Sequence, residues 1–230
     1  SGVCGQDNAR WVPLLDARDR YGRLRGAAGA LLLNYAGFYA RSLWAYFGVE
    51  SHPLFGPTVK GSGEALARLV KWMQRGCFLH NLRGENDLYA PGETPSIKVA
   101  VSNFGVAGLE ATLELKASWA GRAVGLASTT VKVGAGETAQ VALPLKLAGK
   151  TTGLVEVSAR LLADGALLDE ATAGVVVRDP AEMRAGPTLS WRDNYFRLDG
   201  RPIFLFGSDT YANDYMSGAM NPLRWDEIQR

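Results

Sequence analysis

Residues 96–119 read Ser-Ile-Lys-Val-Ala-Val-Ser-Asn-Phe-Gly-Val-Ala-Gly-Leu-Glu-Ala-Thr-Leu-Glu-Leu-Lys-Ala-Ser-Trp, and they decide the fold. Ile97, Val99 and Val101 alternate with polar or small residues. Asn103-Phe-Gly105 then turns the chain, and Leu113 and Leu115 share one side of a second stretch, Leu109–Trp119. An apolar period of two marks a strand with one dry face and one wet face. Working outward, the same period continues through Ala123–Val133, breaks at Gly134-Ala-Gly136, and resumes in Thr138–Leu147, Gly153–Leu162 and Leu167–Val177, with a turn at Asp164-Gly165. Six or seven antiparallel strands separated by glycine turns over residues 90–178 have the length and spacing of an immunoglobulin-like β-sandwich. Trp119, the only tryptophan of this region, reads as a plug in the core or at its rim. A carbohydrate-binding surface needs several exposed aromatics on one face. These strands offer mainly alanine, threonine and valine, so the sandwich reads as a spacer.

Upstream, Leu88-Tyr-Ala-Pro-Gly-Glu93 makes a Pro-Gly turn between domains. Before it, Arg10–Ala17 and Gly26–Ala36 read as strands joined by the polar turn Asp19–Arg23, together a hairpin. Gly26 and Gly29 imply another backbone packed closely over the second strand. An aromatic stretch, Phe38–Phe47, is closed by Gly48. Ser62 stands as an N-cap before Ala65–Trp72, where Leu66, Leu69, Val70 and Met73 recur at helical spacing, and Gly76 ends the helix. Strands with one amphipathic helix predict an α+β or α/β unit over residues 1–89. A parallel sheet needs helices on both faces, so this unit reads as the closing part of an α/β domain.

Downstream, residues 179–188, with Pro180 and Pro187, read as a linker. Tyr195–Leu198 predicts a strand, Asp199-Gly200 a tight turn, and Ile203–Phe206 an apolar strand. A loop rich in tyrosine, asparagine and glycine follows over Gly207–Ala219. Asn221-Pro222 then precedes a helix in which Trp225 and Ile228 share a face. The chain opens Ser-Gly and stops within that young helix, which reads as a truncated piece of something larger.

Composition narrows the function classes. Hydrophobic content of 47% with 21% charged residues is that of a soluble globular chain, not a disordered one. A formal charge of +2 over 230 residues gives no bulk reason to expect a nucleic-acid partner. The apolar run Ala27–Tyr35 is too short to span a bilayer. The two cysteines, Cys4 and Cys77, make neither a disulfide scaffold nor a zinc site; Cys77 reads as a small buried hydrophobe. His52 and His80 lack a convergent cluster of Asp, Glu or Cys, so no metal and no cofactor is expected.

Two stretches resemble known families. The Gly26–Tyr46 pattern and the Ala65–Leu79 helix resemble the closing portion of the glutamine-amidotransferase-like (flavodoxin-type) domain of some large bacterial glycosidase-related proteins. Active members carry a cysteine nucleophile on a strand-to-helix elbow with a histidine nearby. Cys77 instead follows a helix, which leaves that chemistry unsupported in this portion. Val101-Ser-Asn-Phe-Gly105 resembles the first strand of adhesion-type and glycosidase-linked immunoglobulin-like modules, whose role is generally structural.

The segment Phe196-x-Leu-Asp-Gly-Arg-Pro-Ile-Phe-Leu-Phe-Gly207 is similar to the opening of the (β/α)8 domain of retaining glycosidases of the β-galactosidase, β-mannosidase and cellulase-like families. That resemblance implies that Ile203–Phe206 is the first barrel strand. Such barrels place their active sites at the C-terminal ends of strands, so Ser208, Asp209, Tyr211 and Asn213 would face a sugar cleft. Members commonly have Gly-x-Asn where this chain has Gly207-Ser-Asp209, which leaves the role of Asp209 open. The acid/base and nucleophile carboxylates of a retaining glycosidase would lie beyond residue 230. The sequence therefore predicts a multidomain chain: a partial α/β domain over 1–89, the sandwich over 90–178, the linker over 179–188, and the first hairpin, strand and helix of a barrel over 189–230. Its predicted role is a non-catalytic accessory of a glycoside hydrolase-like protein, with Asp209, Tyr211 and Asn213 as sugar-facing residues. The expected partners are the missing remainder or barrel domain and a carbohydrate. The alternatives are part of an active retaining glycosidase assembled with the remaining chain, or a carbohydrate-binding or adhesion module.

Overall fold

The structure is a computed structural model that describes residues 8–49, 54–86 and 88–205. It is rich in strands, arranged in several sheets, with few helices. β1 (Ala9–Arg18), β2 (Leu24–Asn34) and β3 (Ser42–Phe47) form an antiparallel meander in that order. The β1–β2 turn is held by Asp19, whose carboxylate accepts hydrogen bonds from the backbone N–H groups of Tyr21 (2.8 Å) and Arg23 (3.0 Å) and from Arg25 Nε (3.0 Å). The expected hairpin is therefore present, but the sheet built on it is not the parallel one that a doubly wound domain requires. The reason is local: a turn this short joins only antiparallel neighbours.

α1 (Ser62–Arg75) follows. Ser62 does not cap it. Its hydroxyl donates back to Val59 O at 2.8 Å, and Gly61, at φ 79°, stands at the N-cap without a side-chain bond. Gly76, at φ 67°, closes the helix through its N–H to Trp72 O, as the sequence suggests.

β4 (Cys77–Gly84), β5 (Leu88–Tyr89), β6 (Ser96–Asn103), β7 (Leu109–Trp119), β8 (Arg122–Val133), β9 (Glu137–Pro144), β10 (Gly153–Ala163) and β11 (Ala166–Val177) make two facing sheets, ordered β5-β11-β10-β7-β8 and β4-β6-β9. Neighbours run antiparallel except β5, which lies parallel to β11. Period-two side chains meet in register across β7 and β10, with Leu113 opposite Leu161, Leu115 opposite Ala159 and Ala117 opposite Val157, all buried. Ile97, Val99 and Val101 of β6 close the same core from the facing sheet.

Residues 77–84, assigned by sequence to the first unit, pair with β6, His80 standing opposite Ala100. Its first four residues, Cys77 to His80, are buried on both faces. Cys77 and Leu79 enter the sandwich core, while Phe78 enters a second core with Leu31 and Leu33 under β1–β3 and α1. A strand buried on both sides shows no alternation, so its place was not visible in the pattern.

Residues 179–188 are not wholly extended. Asp179 accepts from Ala181 N (2.7 Å) and caps the short α2 (Pro180–Ala185), with proline in its first turn. β12 (Leu189–Arg192), β13 (Tyr195–Leu198) and β14 (Arg201–Ile203) then form a three-stranded antiparallel meander. Its turns, Asp193-Asn194 and Asp199-Gly200, all have positive φ, the signature of tight hairpin turns. The expected strand at Ile203–Phe206 begins earlier, at Arg201, and ends at Ile203, which pairs with Phe196. The remainder of the barrel expectation, residues 206–230, lies outside the described residues.

Candidate functional site

Among the described residues, the seam between the first sheet and the sandwich and the outer face of the first sheet bring chemistry-bearing side chains together. At the seam, Arg10 of β1 reaches across to β11. One guanidinium nitrogen pairs with the Asp169 carboxylate and also donates to Leu79 O at 2.7 Å, while the other donates to Glu170 O. The same Asp169 oxygen accepts from Leu79 N at 2.7 Å. The pair is largely sheltered, with 20% and 9% of the two side chains exposed. Trp72 of α1 adds a bond from its indole N–H to Leu168 O at 2.7 Å. These groups are spent on holding two units together.

His80 lies in the same seam. Its ring stacks on Tyr35 with centroids 4.0 Å apart and planes 14° from parallel. Nε2 shares a hydrogen bond with Ser102 Oγ (2.9 Å), which in turn bonds Thr138 Oγ1 (2.7 Å). Nδ1 is buried without a hydrogen-bond partner. Burial pushes its pKa down to about 4, the Arg10 charge pushes the same way, and the Asn81 side chain opposes them. His80 is therefore neutral at physiological pH.

Cys77 stands three residues earlier on the same strand and so points to the other face. Its Sγ lies 3.3 Å from Asn103 Oδ1 inside the sandwich. Burial raises its pKa, against a smaller opposing effect of Arg75, so it is a thiol rather than a nucleophilic thiolate. The two residues cannot form a cysteine–histidine pair. Among the described residues no group of three or more His, Cys, Asp or Glu side chains could hold a metal ion.

A shallow cleft of about 400 Å³ opens beside the end of α1, lined by Arg41, Leu43, Val70, Met73, Gln74, Gly76 and Phe104. Arg41, at φ 69°, sits against the Gly136 turn of the sandwich. The cleft is wide, and a single guanidinium at its rim sets no reacting geometry.

The outer face of the first sheet is different. Cross-strand register sets Trp11, Leu32 and Trp44 in one row, Pro13, Ala30 and Tyr46 in the next, and Ala9, Asn34 and Ser42 in a third. Trp11, Trp44 and Tyr46 are 52%, 45% and 67% exposed, although they flank a buried central strand. Tyr39, from the β2–β3 loop, packs edge-on to Trp44 at 4.8 Å. Directly opposed residues of an antiparallel sheet share a face, so Trp11, Trp44 and Tyr46 stand on one face, with Leu32 and Ala30 of β2 between the outer strands. The alternation Trp44-x-Tyr46 was legible in the sequence. The alignment with Trp11 was not, because it depends on the hairpin register.

The sugar-facing residues expected from the sequence, Asp209, Tyr211 and Asn213, lie outside the described residues, as do Cys4 and His52.

No family model matches the chain, and no curated protein matches it. Among solved structures it is similar to a glycosyl hydrolase family 2 member from Bacteroides cellulosilyticus DSM 14838 (17% identity, 55% of this chain, 18% of that chain, TM-score 0.36). A β-glucuronidase from Bacteroides uniformis has 14% identity over 66% of this chain and 18% of its own, with a TM-score of 0.38. An alkylpurine DNA glycosylase from Pseudomonas fluorescens, bound to DNA with an abasic site analog, has 14% identity over 51% of this chain and 37% of its own, with a TM-score of 0.36. Glycosidases are thus among the structural neighbours, at low identity and partial coverage, and the chain spans less than a fifth of the length of the two glycosidases. Likenesses this loose, spread over unrelated activities, carry no argument about chemistry.

Proposed function

We propose that the chain is a non-catalytic accessory unit of a glycoside hydrolase-like protein, which fixes neighbouring domains around a sugar cleft. The observation that carries this reading is the sheltered Arg10–Asp169 pin, which joins β1 to β11 and leaves its polar groups committed to structural bonds. A unit pinned this way transmits orientation instead of hinging. In this reading the sandwich is immunoglobulin-like, and the meander over 189–203 leads toward the first element of a (β/α)8 barrel, as the Phe196–Gly207 signature suggests. Asp209, Tyr211 and Asn213 border the cleft, and the carboxylate pair that cleaves the glycoside belongs to the barrel.

The test has two arms. The chain alone is expected to give no turnover on a panel of nitrophenyl glycosides. Arg10→Ala is expected to cost about 2–3 kcal/mol in urea unfolding, because it strands the Asp169 carboxylate, and to speed amide exchange in β1 and β2 selectively. Turnover by the chain, or an Arg10→Ala variant as stable and as protected as the parent, would overturn the proposal.

A further inference from the structure

The geometry points to the outer face of β1–β2–β3 as a binding platform for an uncharged oligosaccharide of two or three rings, with Trp11 and Trp44 as its stacking floor. This rests on the accessory reading above and adds a ligand class that the sandwich itself does not supply. Trp11 and Trp44 lie on outer strands of one row, with Leu32 between them. Two strand spacings put them about 10 Å apart, a span suited to alternate rings of an extended glycan. A pyranose offers an apolar C–H face that stacks on an aromatic ring, and a hydroxyl edge that needs donors and acceptors. The indole N–H groups of Trp11 and Trp44 and the Tyr46 hydroxyl make no hydrogen bond among the described residues, so they are available to that edge. The Tyr46 ring lies over Gly48, where an added Cβ would stand 3.0 Å from the ring and the hydroxyl.

Charge and size select the occupant. The three rows contain no Asp, Glu, Lys or Arg, which matches a neutral sugar and not a uronate or sialylated one. Three strands by two aromatic rows cover a few hundred Å² at most, whereas a stable protein partner requires about 800 Å² on each side. The patch is the size of a short saccharide.

The experiment titrates the whole chain with cellohexaose, xylohexaose, mannohexaose and laminarihexaose, and with hexagalacturonate as the charged control, followed by tryptophan fluorescence and calorimetry. At least one neutral hexasaccharide is expected to bind saturably and hexagalacturonate not at all. Trp11→Ala and Trp44→Ala are each expected to weaken that binding about tenfold, the scale of one lost aromatic contact, while Trp191→Ala in the separate β12–β14 sheet leaves it unchanged. Trp44→Phe, which keeps a ring, guards against loss of folding and should bind at an intermediate level. Binding by none of the neutral probes overturns the platform, as does binding indifferent to Trp11 and Trp44, or a dimer in sedimentation that Trp44→Ala dissolves. The glycoside-turnover and Arg10→Ala measurements are independent of these titrations, so the platform can fail while the accessory reading stands, and the reverse.

Discussion

His80 is a base enclosed without a counter-charge. Tyr35 covers one face of its ring, Ser102 holds Nε2, and the nearest ionised group of known influence is the like-charged Arg10 on β1, itself bound to Asp169 on β11. Its folded pKa of about 4 lies below the ordinary value of 6.5, so the unfolded chain takes up a proton first as the solution is acidified. Stability from this residue is complete above about pH 6.5, falls as the pH drops toward 4, and levels off below that. A gap of this size corresponds to roughly 3 kcal/mol. His80→Gln keeps a partner for Ser102 and cannot charge. Urea unfolding at pH 7.5 and pH 4.5 should show the parent losing about 2 kcal/mol more than His80→Gln, carboxylate contributions cancelling in the difference. Equal losses in the two proteins would mean that His80 already meets water or an acid in the folded state.

Two glycines at the ends of α1 separate backbone strain from crowding. Gly61 has φ 79° with open space where a Cβ would go. Gly76 has φ 67°, and a Cβ there would lie 3.0 Å from Gly105 N and from the Phe104 carbonyl carbon. Gly61→Ala is expected to cost about 1 kcal/mol, the penalty of a left-handed alanine alone. Gly76→Ala should cost clearly more, because the backbone of the 104–105 turn must also retreat. Chemical denaturation of both variants checks the order, and equal costs would show that the turn yields freely. Gly76 is also an instance of what sequence reads well: a glycine after the last apolar helical position. The strands of the sandwich were equally legible, since β7 runs over the expected residues and β6, β8, β10 and β11 lie within about two residues of expectation. What stayed hidden has a common cause. The first half of β4, Cys77 to His80, is buried on both faces and so carries no period. The direction of the first sheet depends on a turn rather than on composition. The Trp11–Leu32–Trp44 row exists only once the hairpin register is fixed, and the same register sends Arg10 inward to the pin.

Across the molecule, burial is uneven, and stability should follow it. The strands β7 and β10 carry interior side chains with almost no exposure, and β6 is buried at every residue from Val99 to Asn103. The first sheet rests on a smaller core of Leu31, Leu33 and Phe78, partly covered by α1, and on the pin. β12–β14 have no buried residue at all, and a three-stranded meander without a dry face is marginal by itself. Amide exchange reports opening energies segment by segment, so hydrogen–deuterium exchange should resolve three tiers: slowest in β6, β7 and β10, intermediate in β1 and β2, fastest among the strands in β12–β14. Asp169→Asn weakens the pin without removing bulk and should move the intermediate tier toward the fast one while leaving β7 and β10 in place. A first sheet whose exchange stays locked to that of the sandwich in Asp169→Asn would place the coupling in the Leu31–Leu33–Phe78 contacts and not in the ion pair. A meander as protected as β7 would mean that residues 189–203 are covered by another part of the protein.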